Sequence, residues 1–392
     1  MKIKFNPRKT KFLKLLNLYY RVFNHERKAK KPIDKTNIKN IIIMNVSIIG
    51  DEVMNIPFFA VLRRNFPNAK ITIVGLPWIK DQEINQNLFD ELIKFDGKRL
   101  LNDPITEFKN RKTIRNTLKK INKQTYDLAI EPRGDIRYIH FMYKFHALRK
   151  VSYNYTGGTY MLTDSVEADE NIIHEIDERI HLLEAIGCKI DNNDIYPKLL
   201  LTEEQRNANK SFIKNNHLDN KKIIGIHPGA SLKIKQYPHY PDVIERFAEA
   251  INDKENYSIV VFCGPEEESI ARPVYESASK AGFTSIFLKE KLSIYLGLVG
   301  ICNYMICNDS AAGHIAAAYG ISVTVIFGPV EPMYYAPRGR TPVYIISHRL
   351  ACKPCVQSEC PLGTEECMKS LTVNEVSNTI LEMILNDERV KI

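Results

Sequence analysis

Asn308-Asp309-Ser310-Ala311-Ala312-Gly313-His314 is the stretch of this 392-residue chain best suited to holding an anion. The apolar Tyr304–Cys307 before it predicts a short buried strand. The Ala-rich Ile315–Gly320 after it predicts a helix, and Ile321–Phe327 the next strand. A strand that breaks at Asn-Asp and restarts as a helix of small residues leaves the first helical N–H groups unpaired. The helix dipole adds roughly half a positive charge at the same place. Asp309 can cap the helix or bind sugar hydroxyls, Ser310 can donate to a phosphate, and His314 lies one turn in. The plainer alternative is an ordinary strand–turn–helix junction with Asp309 as N-cap.

Other polar groups follow predicted strands in the same way. Strand Ile223–His227 leads into Pro228-Gly229-Ala230-Ser231 and then Lys233 and Lys235, and strand Ser258–Cys263 leads into Gly264-Pro265-Glu266. The apolar run Ile41–Ser47 ends in Ile48-Ile49-Gly50-Asp51-Glu52, with a helix expected through Pro57 to Asn65. Asp51 alone would be an N-cap. Strand Tyr126–Glu131 is followed by Arg133, Asp135 and Arg137, either cleft-lining groups or solvated loop charges. Ligands of open parallel sheets bind beyond the carboxyl ends of the strands, where all these residues fall.

The elements that must carry them alternate between strand and helix. Further strands are expected at Lys70–Gly75, Glu91–Phe95 and Ser285–Leu288. Helices are expected at Ile105–Ile121, Ile136–His146, Ile172–Gly187, Glu203–Asn216, from Pro241, and at Leu292–Cys302. Tyr153–Asp169 is less regular. Continuous apolar strands separated by helices predict α/β doubly wound domains, and the second half repeats the first. The expected divisions are an arm over 1–39, Rossmann-like domains over 40–205 and 206–350, and a Cys-rich segment with a terminal helix over 351–392. No GxGxxG follows either first strand, which weighs against a dinucleotide oxidoreductase.

The formal net charge of +9 is concentrated at one end. Residues 1–39 hold thirteen Lys/Arg against two acidic residues, whereas the remainder holds 42 against 44. The globular part is nearly neutral and gives no argument for nucleic acid. In the arm, Phe12, Leu15, Leu16, Tyr19 and Phe23 follow helical spacing, so a basic amphipathic helix over Lys9–Phe23 is expected. It would lie on an anionic membrane surface or dock on the protein itself. No run approaches the about eighteen apolar residues of a membrane span, and the start lacks the form of a signal peptide, so a cytoplasmic location is expected.

From about residue 40 to 385 the sequence resembles glycosyltransferase family 9, the lipopolysaccharide heptosyltransferases. The resemblance rests on Gly50-Asp51 with Pro57, His227-Pro228-Gly229-Ala230 with Lys235-Gln236-Tyr237-Pro238, and Gly264-Pro265-Glu266. It continues in Asp309-Ser310 with His314 and Ala316-Ala317-Ala318, and in Phe327-Gly328-Pro329. Departures are Asn45 where the family usually has a basic residue, Tyr237 in place of Trp, and Ala311 where Gly is frequent. The resemblance implies a GT-B fold of two facing Rossmann-like domains, acceptor on the first and ADP-sugar on the second. Asp51 then matches the family's general base. Lys235, Gly229, Ser231, Gly264, Asp309 and the stretch Ser310, Ala311, Ala312, Gly313, His314 would bind the donor; Arg133, Asp135 and Arg137 would line the acceptor side. Transfer would need no divalent cation. The implied activity is inverting transfer of a heptose or related sugar to a lipid-linked cell-envelope glycan. A GT-B-type sugar-nucleotide epimerase, which uses no acceptor, and a non-catalytic scaffold are the alternatives.

Cys352, Cys355, Cys360 and Cys367 follow the spacing C-x₂-C-x₄-C-x₆-C, with Pro354, Pro361 and Gly363 between them. Four thiolates at tight turns can hold structural zinc, or an iron–sulfur cluster. Reduced thiols or two disulfides are the alternatives, the latter disfavoured in the cytoplasm. The segment precedes a helix expected at Val373–Asn386, which in the GT-B fold commonly crosses back to the first domain.

Overall fold

The run Ile41-Ile42-Ile43 is wholly buried at 0% exposure, as a central parallel strand covered on both faces must be. The structure is a computed structural model that describes residues 32–76, 87–101, 104–155, 157–355 and 358–390. The amphipathic arm helix expected over Lys9–Phe23 lies outside these described residues. The chain divides into two units, Met1–Ile195 and Tyr196–Ile392.

In the first unit β1 (Asn40–Asn45), β2 (Lys70–Gly75), β3 (Glu91–Lys94), β4 (Tyr126–Glu131), β5 (Ala147–Tyr153) and β6 (Asp164–Val166) form one sheet. Its order is β3-β2-β1-β4-β5-β6, and every pairing is parallel. Ile41 sits between Ile71 and Leu128, which fixes the register around the apolar centre. In the second unit β7 (Lys222–His227), β8 (Tyr257–Phe262), β9 (Thr284–Leu288), β10 (Tyr304–Asn308), β11 (Ser322–Ile326) and β12 (Val343–Ile346) run in the order β12-β11-β10-β7-β8-β9. Both are the 3-2-1-4-5-6 order of the Rossmann fold. The strand order reverses between β1 and β4 in one unit and between β7 and β10 in the other, and such reversals leave a crevice for ligands.

The helices used below are α1 (Ile49–Asn65), α2 (Pro104–Lys109), α3 (Arg111–Ile121), α4 (Ile136–Tyr143), α5 (Glu175–Ala185), α6 (Tyr240–Ala250), α7 (Glu268–Lys280), α8 (Ala311–Ala318), α9 (Glu366–Lys369) and α10 (Val373–Val390). The single helix expected over Ile105–Ile121 is broken at Asn110. The Asn110 side chain donates to the Thr106 carbonyl at 2.8 Å while its backbone starts α3. The helix expected to reach His146 ends at Tyr143 because β5 begins at Ala147. β5 was not expected: Arg149 and Lys150 interrupt its apolar pattern.

Val376, Ile380, Met383 and Ile384 of α10 join the core of the second unit with Tyr240, Val243, Ile244 and Phe247 of α6. Full burial of one such side chain contributes roughly 1.5–3 kcal/mol. The terminal helix is thus a core element of the second unit. Among the described residues no helix is long and apolar enough to cross a membrane.

Candidate functional site

In the second unit, β7 and β10 end side by side, and one side chain ties their outgoing loops together. Asn308, at 0% exposure, donates from Nδ2 to the Pro228 carbonyl at 2.7 Å. Its Oδ1 accepts from the Tyr237 N–H and the Tyr240 hydroxyl, each at 3.2 Å. This bond set holds the loop from Pro228 to Tyr237 over the end of β10. Lys235, in a short 3₁₀ turn over Lys233–Lys235, thereby reaches the Asp309 carboxylate, with Nζ–Oδ2 at 2.6 Å. Asp309 is 9% exposed and Lys235 19%, so the pair is shielded yet accessible.

Asp309 is not the N-cap of α8. Ser310 occupies that position in an extended conformation, and its side chain makes no capping bond. The Ser310 Oγ is buried without a hydrogen-bond partner. A buried hydroxyl left unpaired costs roughly 1–3 kcal/mol, and this one stands at a helix start, next in the chain to Asp309, the partner of Lys235. Ala311 is partly exposed, while Ala312 and His314 are buried. Gly313 serves packing: a Cβ there would lie 3.1 Å from Cys307 Sγ and from Pro337.

Gly229 and Gly264 make room for a residue that the sequence alone did not single out. A Cβ on Gly229 would meet the Glu267 carboxylate at 2.0 Å, and one on Gly264 would meet it at 2.4 Å. Glu267 Oε2 accepts from the Gly264 N–H at 2.9 Å and pairs with His227 Nε2 at 3.3 Å. Burial opposes the Glu267 charge, but the His227 and Gly264 bonds outweigh it and lower its pKa. Glu266, just before Glu267, lies in the left-handed region at φ 61°. Ser231 is exposed on the loop.

In the first unit, Asp51 lies in the first turn of α1, whose N-cap is Ile48, so Asp51 does not cap the helix. Its Oδ2 lies 3.1 Å from Arg133 Nη1, bringing together the loops after β1 and β4. Burial opposes the Arg133 charge, but Asp51, Glu175 and Glu131 outweigh it and raise its pKa. The Asp51 carbonyl accepts from Arg179 Nη1 at 3.2 Å; Arg179, at 1% exposure, was also missed by sequence reasoning. Glu131, wholly buried, accepts from Gly134 N at 2.6 Å, Ser152 Oγ at 2.8 Å and Arg133 N at 3.2 Å, and so shapes the turn that presents Arg133.

Asn45, the departure from the family pattern, is 1% exposed and donates to Glu52 Oε2 at 2.7 Å. Its Oδ1 accepts from Ser47 and Asn55, so it is a structural strut under the Asp51 turn. Asp135 and Arg137 do not extend the cluster. Asp135 caps α4 through the Arg137 N–H, and its carboxylate is taken by the Arg137 guanidinium, with Nη2–Oδ2 at 2.5 Å.

The four clustered cysteines are not gathered. Among the described residues no group of three or more His, Cys, Asp or Glu side chains can hold a metal ion. Cys367 is drawn into the apolar core on α9, whereas Cys352 is exposed. Cys360 Sγ accepts from the Glu365 N–H at 3.4 Å, and backbone donors led by that one lower its pKa. Burial raises the pKa of Cys367. Cys352 and Cys360 are nonetheless near enough for their charges to act on the Cys367 thiol.

The sequence model of glycosyltransferase family 9 (heptosyltransferase) matches residues 114–365, more than half of the chain. The chain belongs to this family. Lipooligosaccharide heptosyltransferase 2 of Campylobacter jejuni subsp. jejuni serotype O:6 is 25% identical over 343 residues, covering 86% of this chain and 96% of the relative. A solved family 9 glycosyl transferase from Veillonella parvula superposes with a TM-score of 0.73 at 21% identity, over 91% of this chain and 100% of that one. The E. coli ADP-heptose lps heptosyltransferase II gives 0.68 at 18% identity, over 90% and 100%. The family 9 chain is thus a glycosyltransferase, and its two Rossmann-like units have the GT-B fold.

Proposed function

We propose that this family 9 enzyme transfers a heptose, or a closely related sugar, from an ADP-sugar to a lipopolysaccharide-type acceptor, with inversion at the anomeric carbon. The buried, unpartnered Ser310 hydroxyl at the start of α8, beside the Lys235–Asp309 pair, carries this reading. Phosphate oxygens would accept from Ser310 and the first N–H groups of α8, with Lys235 matching their charge. Asp309 would accept from sugar hydroxyls, and Glu267, above the two glycines, from further hydroxyls of the donor.

Asp51 serves as general base. The acceptor hydroxyl attacks the anomeric carbon as the bond to the β-phosphate oxygen breaks. ADP departs with the electron pair, and the hydroxyl proton passes to the Asp51 carboxylate. Arg133 holds that carboxylate and faces anionic groups of the acceptor. The first unit is the acceptor side, and the basic arm over residues 1–39 keeps the enzyme peripheral at the cytoplasmic face of the membrane.

Asp51→Asn tests the base role. Transfer from ADP-heptose to a soluble acceptor is expected to be lost, while ADP binding measured by calorimetry stays within about twofold, well under the tenfold that 1.4 kcal/mol represents. Retention of most transfer activity would remove Asp51 from the mechanism.

A further inference from the structure

The described surface of the first unit carries an unusual combination of charge and apolar exposure around α2 and α3. From Lys109 to Tyr126 the chain has seven Lys/Arg and no carboxylate. On α3, Ile114, Leu118 and Ile121 face the core of the unit. Arg111, Arg115 and Lys119 fall on a separate exposed stripe at spacings of four, with Lys112 and Lys120 exposed beside it. An amphipathic helix with a solvated basic face accounts for this much.

It does not account for α2. Ile105 and Phe108, one turn apart and so on one face, are 68% and 67% exposed, the highest values among the large hydrophobic side chains described. Arg111 stands with its guanidinium 4.4 Å from the Phe108 ring centre, which sets the cation at the base of the apolar projection. Glu107 on the same short helix is paired with Lys144 at 3.3 Å, so its charge is offset locally.

We propose that α2 and α3 form a membrane-docking surface: Ile105 and Phe108 enter the headgroup region of an anionic bilayer while the α3 cations lie against its phosphates. Charge complementarity selects an anionic partner. The aliphatic and aromatic pair selects a bilayer over a nucleic acid, which would satisfy the cations yet offer Ile105 no apolar phase. The surface belongs to the unit proposed to take the lipid-linked acceptor. The inference rests on that reading only for its purpose, because its test reads vesicle binding without catalysis.

The full-length chain is sedimented with vesicles of phosphatidylcholine alone and of phosphatidylcholine with phosphatidylglycerol, at low and high salt. Two variants are compared with it, Arg115→Gln/Lys119→Gln/Lys120→Gln and Ile105→Ser/Phe108→Ser. Because the basic arm acts equally in all three proteins, differences report this surface. Each lost cation should weaken binding to the anionic vesicles about fivefold, hence about a hundredfold for three, with the effect shrinking at high salt. The Ile105/Phe108 variant should bind the anionic vesicles more weakly than the wild type but keep its affinity for heparin. All substituted residues are exposed, and unchanged thermal unfolding checks that both variants fold. Wild-type vesicle binding by both variants would overturn the proposal. So would duplex DNA binding tighter than vesicle binding and indifferent to Ile105→Ser/Phe108→Ser.

Discussion

Replacing Ser310 by alanine should separate fold stability from ligand binding. At an N-cap, Ser→Ala ordinarily costs about 1 kcal/mol because a capping bond is lost, but the Ser310 side chain makes no such bond. Its Oγ is buried and unpaired, a state that itself costs roughly 1–3 kcal/mol and that alanine abolishes. The free protein should therefore unfold at the same temperature or a slightly higher one. With a diphosphate bound, the same hydroxyl would donate to a charged oxygen, an interaction of about 1.5–3 kcal/mol. Affinity for ADP should fall by about one to two orders of magnitude. Thermal unfolding of the free protein and calorimetric titration with ADP measure the two quantities independently. A variant that unfolds several degrees lower yet binds ADP as well as the wild type would show that Ser310 is a structural cap and that the anion site lies elsewhere.

Lys235→Ala leaves Asp309 partly buried and unpaired; donor affinity should drop by roughly 10- to 150-fold, the value of one charge-assisted bond, whereas acceptor affinity should not change. Burial raises the Glu131 carboxyl from its ordinary 4.5 to about 7, helped by the Asp135 charge. A raised carboxyl stabilises the fold below its unfolded pKa of 4.5 and loses that contribution as pH rises from there to about 7; Glu131→Gln should flatten this decline, by up to about 3 kcal/mol, in denaturant titrations at about pH 4.5 and about pH 8. Gly229→Ala drives a methyl into the Glu267 carboxylate and should cost about 1–3 kcal/mol; adding Glu267→Ala should restore part of it, and additive losses would refute the clash.

Most of the two sheets was legible because their central strands are continuous apolar runs between helices. Tyr126–Glu131 and Lys70–Gly75 stand where their sequences place them. Strands away from the sheet centres were harder: β5 is interrupted by the part-buried Arg149 and Lys150, and the edge strand β12 is half exposed, so neither shows an unbroken apolar signal. At the site, the residue types Asp51, Lys235, Asp309 and Ser310 could be picked out, but their partnerships could not. Asp309 and Lys235 are 74 positions apart, Asp51 and Arg133 82, and such pairs follow from sheet order. Both capping alternatives failed because each helix starts one or more residues away from where a local rule puts it. Glu267 and Arg179 stayed hidden for a related reason: what marks them is the empty space over two glycines and a backbone carbonyl in another helix, neither of which has a signature along the chain.

The Lys235–Asp309 pair has a consequence for selectivity. Before any ligand arrives the lysine is already neutralised, so a lone phosphate gains little by displacing Asp309, which would be stranded. A ligand that offers both an anion to the lysine and hydroxyls to the carboxylate compensates both groups at once. On the proposed donor role, such a site would act as a coincidence detector that discriminates an intact sugar nucleotide from its fragments, and the spent nucleotide, having lost its sugar, would be released as the lysine and carboxylate re-form their pair.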